Sequence, residues 1–276
     1  MCLRETRPSK LLSQKVDRLK KQTNIGDVDI KDNPDKIGDA GTFVRVVLWR
    51  PIRLALTEPI IIAVTLLDTI SWGLIYLFTA ALSIVYAPYG WSETTISLAF
   101  FAIGIGVLLS IPVRFWDLRK ISRKEAHKTA PEDKIGGFIL AVPALAIGLW
   151  LFAWTVPPLV HAPWPVSMIG LILIGFAANE IAYTLVGYLT DSYTTYASSA
   201  NAGLSFFRGI ISGVMPLFAK QMYSGLGANV AGSILAALAT IFCVTPYVFV
   251  RFGERIRQRS QFARHSAEMN EKHGNE

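Results

Sequence analysis

Two cysteines, Cys2 and Cys243, are all the thiols in the 276 residues. One lies in the polar leading segment and one deep in the last apolar run, so neither a disulfide framework nor a cysteine-based metal site is expected. Charge is scarce as well: 17% charged residues against 52% hydrophobic ones is too little polar surface for an ordinary soluble domain of this length. No HExxH, paired-carboxylate or nucleophile motif is present, which argues against an intramembrane enzyme and leaves no cofactor, metal or catalytic residue to expect. Basic residues are also missing from three short connections, 87–93, 157–165 and 222–227.

What the chain does have is apolar runs long enough to cross a hydrocarbon core of roughly 30 Å, which takes about 20 helical residues. Six qualify, at about 58–86, 95–113, 137–156, 166–190, 196–221 and 228–250. Each is far longer than a barrel strand, and lipid offers no water to satisfy open backbone groups, so the pattern predicts helices. The expected fold is an all-α polytopic membrane protein with six transmembrane helices.

The 27 basic residues set its orientation. Twelve precede the first span, seven lie in 114–134 and six in 251–272, leaving Arg208 and Lys220 within or beside spans. By the positive-inside rule both termini and the 114–134 loop are cytoplasmic, and the three connections without Lys or Arg face outward. The net charge of +7 is accounted for by topology and by contact with anionic membrane lipid, so no nucleic-acid partner is expected.

Residues 1–57 then read as a cytoplasmic arm, linker and interfacial helix, 58–250 as the six-helix domain and 251–276 as a basic cytoplasmic tail. In the arm, Leu11, Leu12, Val16 and Leu19 share one face of a short surface helix. Residues 26–41 are rich in Asp, Gly and Lys and read as linker, and 43–56 as an interfacial approach to the first span.

Seven segments carry a family resemblance: RPIRLALTEPI (50–60), WGLIYLF (72–78), YGWS (89–92), PEDKI (131–135), GLWLFAWT (148–155), YLTDSYTTYASSANA (188–202) and FRGIISGVMPLFAKQMYSGLG (207–227). In this order they resemble the C-terminal half of the fungal twelve-span drug:proton antiporters of the major facilitator superfamily. Val230 departs from that pattern, which usually has Trp. The resemblance implies proton-coupled export of small organic molecules by alternating access, in the plasma membrane rather than the vacuole. It also implies that the family's first six spans have no counterpart here, with Met1 falling near the junction between halves. Two readings follow: a transporter half working with a second six-helix half, as a homodimer or with a full-length transporter, or a truncated, non-transporting remnant or interaction subunit.

Ionisable residues inside spans are the candidates for chemistry, because a charge at mid-bilayer is costly and marks a pathway or a partner. Asp68, about ten residues into the first span, is the leading proton-carrier candidate. Glu180 and Asn179 lie similarly deep in the fourth, and Arg208 midway along the fifth. A carboxylate and this guanidinium can pair across neighbouring helices, either as an exchange site for proton and substrate or as a structural lock. Trp72, Tyr76, Tyr183, Phe206 and Phe207 are the candidate walls of a cavity for organic cations or amphipathic drugs, while Tyr89, Trp91, Trp154 and Trp164 suit an interfacial belt. Asp117 and Arg119 resemble the superfamily's cytoplasmic gating loop. Glu58, near Arg53, reads as an interfacial helix cap. Gly104, Gly106, Gly209 and Gly213 point to close helix approach.

Overall fold

All the apolar runs wind into helix, since backbone hydrogen bonds closed within each segment are the solution hydrocarbon permits. The structure, a computed structural model, describes residues 15–16, 40–122, 134–158, 162–260 and 262–264. No strand occurs among them. The arm's Leu11, Leu12 and Leu19, most of the 26–41 linker and much of the basic loop and tail lie outside the described residues. The chain divides into two compact units, Met1–Arg50 and Pro51–Glu276.

Within the first unit, a turn of helix at Ala40–Phe43 continues into a wider π-helical turn, Val44–Trp49. Phe43, Val44, Val47, Leu48 and Trp49 are exposed there, an apolar display that suits a membrane interface.

Among its described residues the second unit holds six helices long and apolar enough to cross a membrane: Pro59–Tyr89, Glu93–Ser122, Gly136–Thr155, Trp164–Ser192, Ala197–Leu226 and Ala228–Gln258. Pro59 opens the first, where its missing N–H costs nothing. The helices outrun the apolar windows: the second carries Arg114 to Ser122 in regular helix. It is interrupted near Ala99, and the sixth breaks into Ala228–Phe242 and Thr245–Arg259, with Pro246 opening its second piece. The fourth span is the hub, packing on the second, third, first and fifth, while the first pairs closely with the fifth and the third with the sixth.

Close approach at the hub depends on glycine. A Cβ on Gly106 would collide with the Ile172 carbonyl, and one on Gly175 with the backbone of Ile103, so the second and fourth spans touch backbone to backbone. Gly148 and Gly170 do the same for the third and fourth, where an added Cβ would stand 2.9 Å from the opposite carbonyl. Gly104, the other candidate, faces open space.

At one end of the bundle Tyr86 stacks on Trp91 (4.8 Å, 11°) and bonds Ser167 at 2.7 Å, while Tyr89 donates to the Ala162 carbonyl at 3.1 Å. Tyr89 and Trp91 are therefore half-buried packing groups, whereas Trp154 and Trp164 stay exposed as belt residues would. Asn229, buried at the start of the sixth span, donates to the Ala153 and Val156 carbonyls, two of the groups that the end of the third helix leaves open.

Candidate functional site

Asp68 is fully enclosed, and the fifth span brings Arg208 to it: Nη1 lies 3.5 Å from Asp68 Oδ2. Nη2 reaches Ser205 Oγ at 3.4 Å, and the guanidinium carbon stands 5.4 Å from the Trp72 ring centroid. The pairing follows from helix geometry, because Asp68 and Trp72 are one turn apart on the face of the first span that packs on the fifth. A buried carboxylate is tolerable only with such a partner. Arg208 remains 30% exposed and opens onto a cavity of about 630 Å³, bounded also by Trp72, Tyr76, Ser205, Ser212 and the glycine pair Gly209 and Gly213. Those two glycines face nothing within 4 Å.

Glu180 belongs to a different cluster. Arg114 Nε is 3.4 Å from Glu180 Oε1, Nη2 donates to the Asn179 carbonyl at 3.4 Å, and the guanidinium lies 3.3 Å over the Tyr183 ring. Asn179 itself donates to Ser110 Oγ at 2.8 Å. One turn beyond Arg114, Asp117 Oδ2 accepts from the Gly137 N–H at 2.9 Å and so caps the third span from a neighbouring helix. Gly136 and Gly137 leave just enough room: a Cβ on the first would strike the Asp117 carboxylate, and on the second the Glu180 carboxylate. A cavity of about 450 Å³ adjoins this cluster, with Lys134 and Asp191 paired at 2.6 Å on its rim. Arg119 is exposed on the same helix as Asp117, so both stand on helix rather than in a loop.

The sequence candidates thus separate. Arg208, Trp72 and Tyr76 line one cavity with Asp68 enclosed behind Arg208, and Glu180, Tyr183 and Asp117 line another, to which Asn179 is joined through Arg114. Phe206 and Phe207 pack edge to face on each other at 5.5 Å and border neither cavity. Arg114 escaped sequence reasoning because it counted as a loop charge. The available signal was Glu180, a mid-span carboxylate that needs a cation from some neighbouring helix.

Glu58 makes no capping bond at the start of the first helix. It is buried and accepts from the Tyr193 hydroxyl at 3.1 Å, which replaces the expected interfacial cap: the carboxylate turns inward to the turn between the fourth and fifth spans. Tyr193 also bonds Ser260, and burial pushes its phenol well above the ordinary value. Ser260 caps the following turn by accepting from the Ala263 N–H at 3.0 Å, and Phe262 packs edge to face on Tyr196. Among the described residues no group of three or more His, Cys, Asp and Glu is placed to hold a metal.

Known proteins resemble this chain along most of its length. It is 32% identical over 271 residues to the major facilitator-type transporter sor6 of Hypocrea jecorina, covering 97% of this chain and 50% of that protein. The corresponding values are 35% over 225 residues for the major facilitator-type transporter sorT of Penicillium rubens (80% and 43%) and 34% over 268 for the MFS-type efflux pump MFS2 of Trichophyton rubrum (95% and 44%). The chain spans about half the length of the curated relatives it matches. No family model and no solved structure matches it.

Proposed function

This multi-pass membrane protein is a homologue of fungal major facilitator-type transporters and efflux pumps, matching about half their length, and on that premise we propose that it is the C-terminal half of a secondary transporter exporting small organic molecules. The observation that carries the proposal is the Asp68–Arg208 pair beside a cavity of about 630 Å³. An intramembrane ion pair opening on a cavity is where a proton and an organic substrate can exchange. Proton uptake by Asp68 neutralises the carboxylate and loosens its hold on Arg208, and proton release restores the pair. The aromatic faces of Trp72 and Tyr76 supply apolar contact for the substrate.

Alternating access requires two repeats to rock about a shared mid-membrane site. Gly209 and Gly213, bordering the cavity with nothing against them, favour an arrangement in which a second six-helix unit forms the opposite wall. With both termini cytoplasmic and the chain in the plasma membrane, export runs outward against an inward proton gradient.

The test is expression in a host stripped of drug exporters, alone and together with the N-terminal six-span half of a relative, with drug efflux measured before and after a proton uncoupler. Export that the uncoupler and Asp68→Asn both abolish supports the proposal. Stable membrane protein with no efflux in either arrangement sinks it and leaves the interaction-subunit reading.

A further inference from the structure

Five enclosed polar atoms without a hydrogen-bond partner gather where the first span meets the fifth: Asp68 Oδ1, Thr65 Oγ1, Thr69 Oγ1, Trp72 Nε1 and Ser212 Oγ. At 3.6 residues per turn, positions 65, 68, 69 and 72 fall within an arc of about 100°, so the four side chains line one stripe of the first span. The helices pack closely here, with Met215 Cγ 3.3 Å from where a Cβ on Gly73 would stand. Hydroxyls in an apolar helix ordinarily bond a carbonyl of the preceding turn, as Ser71, Thr79 and Ser83 do in this same span. Thr65 and Thr69 do not.

Buried polar groups are almost always bonded, to protein or to ordered water, and five orphans in one place call for an occupant. Their chemistry selects it. The carboxylate oxygen only accepts, the indole N–H only donates, and the three hydroxyls do both. A metal ion would satisfy the acceptors and repel Trp72 and Arg208, and an anion would face Asp68. A small neutral molecule that both donates and accepts suits all five. We infer that this seam holds bound water, running from the cavity wall at Trp72 and Ser212 to Asp68 Oδ1. Thr65, Thr69 and Ser212 are then positioning residues that hold the water in place. The water reaches the carboxylate on the oxygen that Arg208 leaves free, so a proton can arrive without first breaking the pair. That use of the water rests on Asp68 being the exchanging carboxyl; its presence does not.

Pulsed hydroxyl-radical labelling of the purified full chain in lipid nanodiscs tests occupancy, since water bound beside a side chain oxidises it where lipid shields it. Met215 and Trp72 should label several-fold faster than the lipid-facing Trp150. The triple variant Thr65→Val, Thr69→Val, Ser212→Ala should lose most of the Met215 labelling, while Thr65→Ser, Thr69→Ser keeps it and controls for folding. A Met215 that labels no faster than Trp150, or equally in all three proteins, overturns the inference. Infrared detection of hydrogen–deuterium exchange at the Asp68 carboxyl separates the two claims. Slower exchange in the triple variant supports the water as the proton's route. Unchanged exchange, or no exchanging Asp68 proton at all, overturns that role, whatever the labelling finds.

Discussion

The Tyr193 hydroxyl donates to Glu58 Oε2 at 3.1 Å, joining residues 135 positions apart. It ties the entry of the first span to the turn between the fourth and fifth, and two segments that sequence alone marked separately, RPIRLALTEPI and YLTDSYTTYASSANA, meet through it. Ser260 adds the end of the sixth span to the same knot.

Tyr193→Phe keeps the ring and removes the donor, leaving a buried carboxylate with one partner fewer, so it should destabilise by about 1–3 kcal/mol. Glu58→Gln, whose amide oxygen still accepts, should cost less. Thermal unfolding of detergent-solubilised protein ranks the two, and a Tyr193→Phe variant that melts with the parent would mean the hydroxyl contributes nothing.

Burial holds the Tyr193 phenol above its usual value of 10.0, so the donor is intact throughout the neutral range. A group raised on folding contributes stability that is complete below its unfolded value and is lost as pH climbs towards the folded one. Stability should therefore decline at alkaline pH beyond about 10, and Tyr193→Phe should flatten that decline in a pH series of melting curves.

Arg208→Gln strands the enclosed Asp68 carboxylate, whereas Asp68→Asn strands a guanidinium that is 30% exposed and can turn to the cavity. Breaking a buried pair costs about 3–5 kcal/mol, less here because of that exposure. Arg208→Gln should be the more damaging single change, and adding Asp68→Asn should recover part of the loss. A double variant no better than Arg208→Gln alone would remove the pair from the account.

Gly106→Ala drives a methyl into the Ile172 carbonyl and should cost about 1–3 kcal/mol through the displaced backbone. Gly104→Ala, two residues away and facing open space, should be neutral or gain up to about 1 kcal/mol from helix propensity. Similar melting shifts for the two would place the crossing elsewhere.

Asp117→Ala removes the acceptor at the Gly137 N–H and should lose about 0.5–2 kcal/mol, as loss of a helix cap does. Asp117→Asn retains an acceptor and should lose less. Hydrogen exchange at Gly137 reads this directly: faster in the alanine variant and little changed in the asparagine one.

The spans were legible because twenty apolar residues in sequence have few fates other than a crossing helix. Candidate charges were legible for the same reason, since Asp68, Glu180 and Arg208 stand out against hydrocarbon. Their partners were not. Asp68 and Arg208 are 140 positions apart, and pairing them needs the packing of the first span on the fifth. Arg114 looked like a loop charge because apolarity ends near Val113 while the helix continues to Ser122.

By itself the sequence determined a six-helix membrane protein, because chain length and hydropathy are local properties that the bilayer reads one helix at a time. Only the tertiary structure decided that Asp68 and Glu180 belong to two separate clusters, that Glu58 turns inward to Tyr193, and that Asp68 Oδ1 and four further enclosed polar atoms are unpartnered. Which helix faces which, and at what rotation, is set by backbone contacts such as Gly106 on Ile172, and no local pattern encodes them.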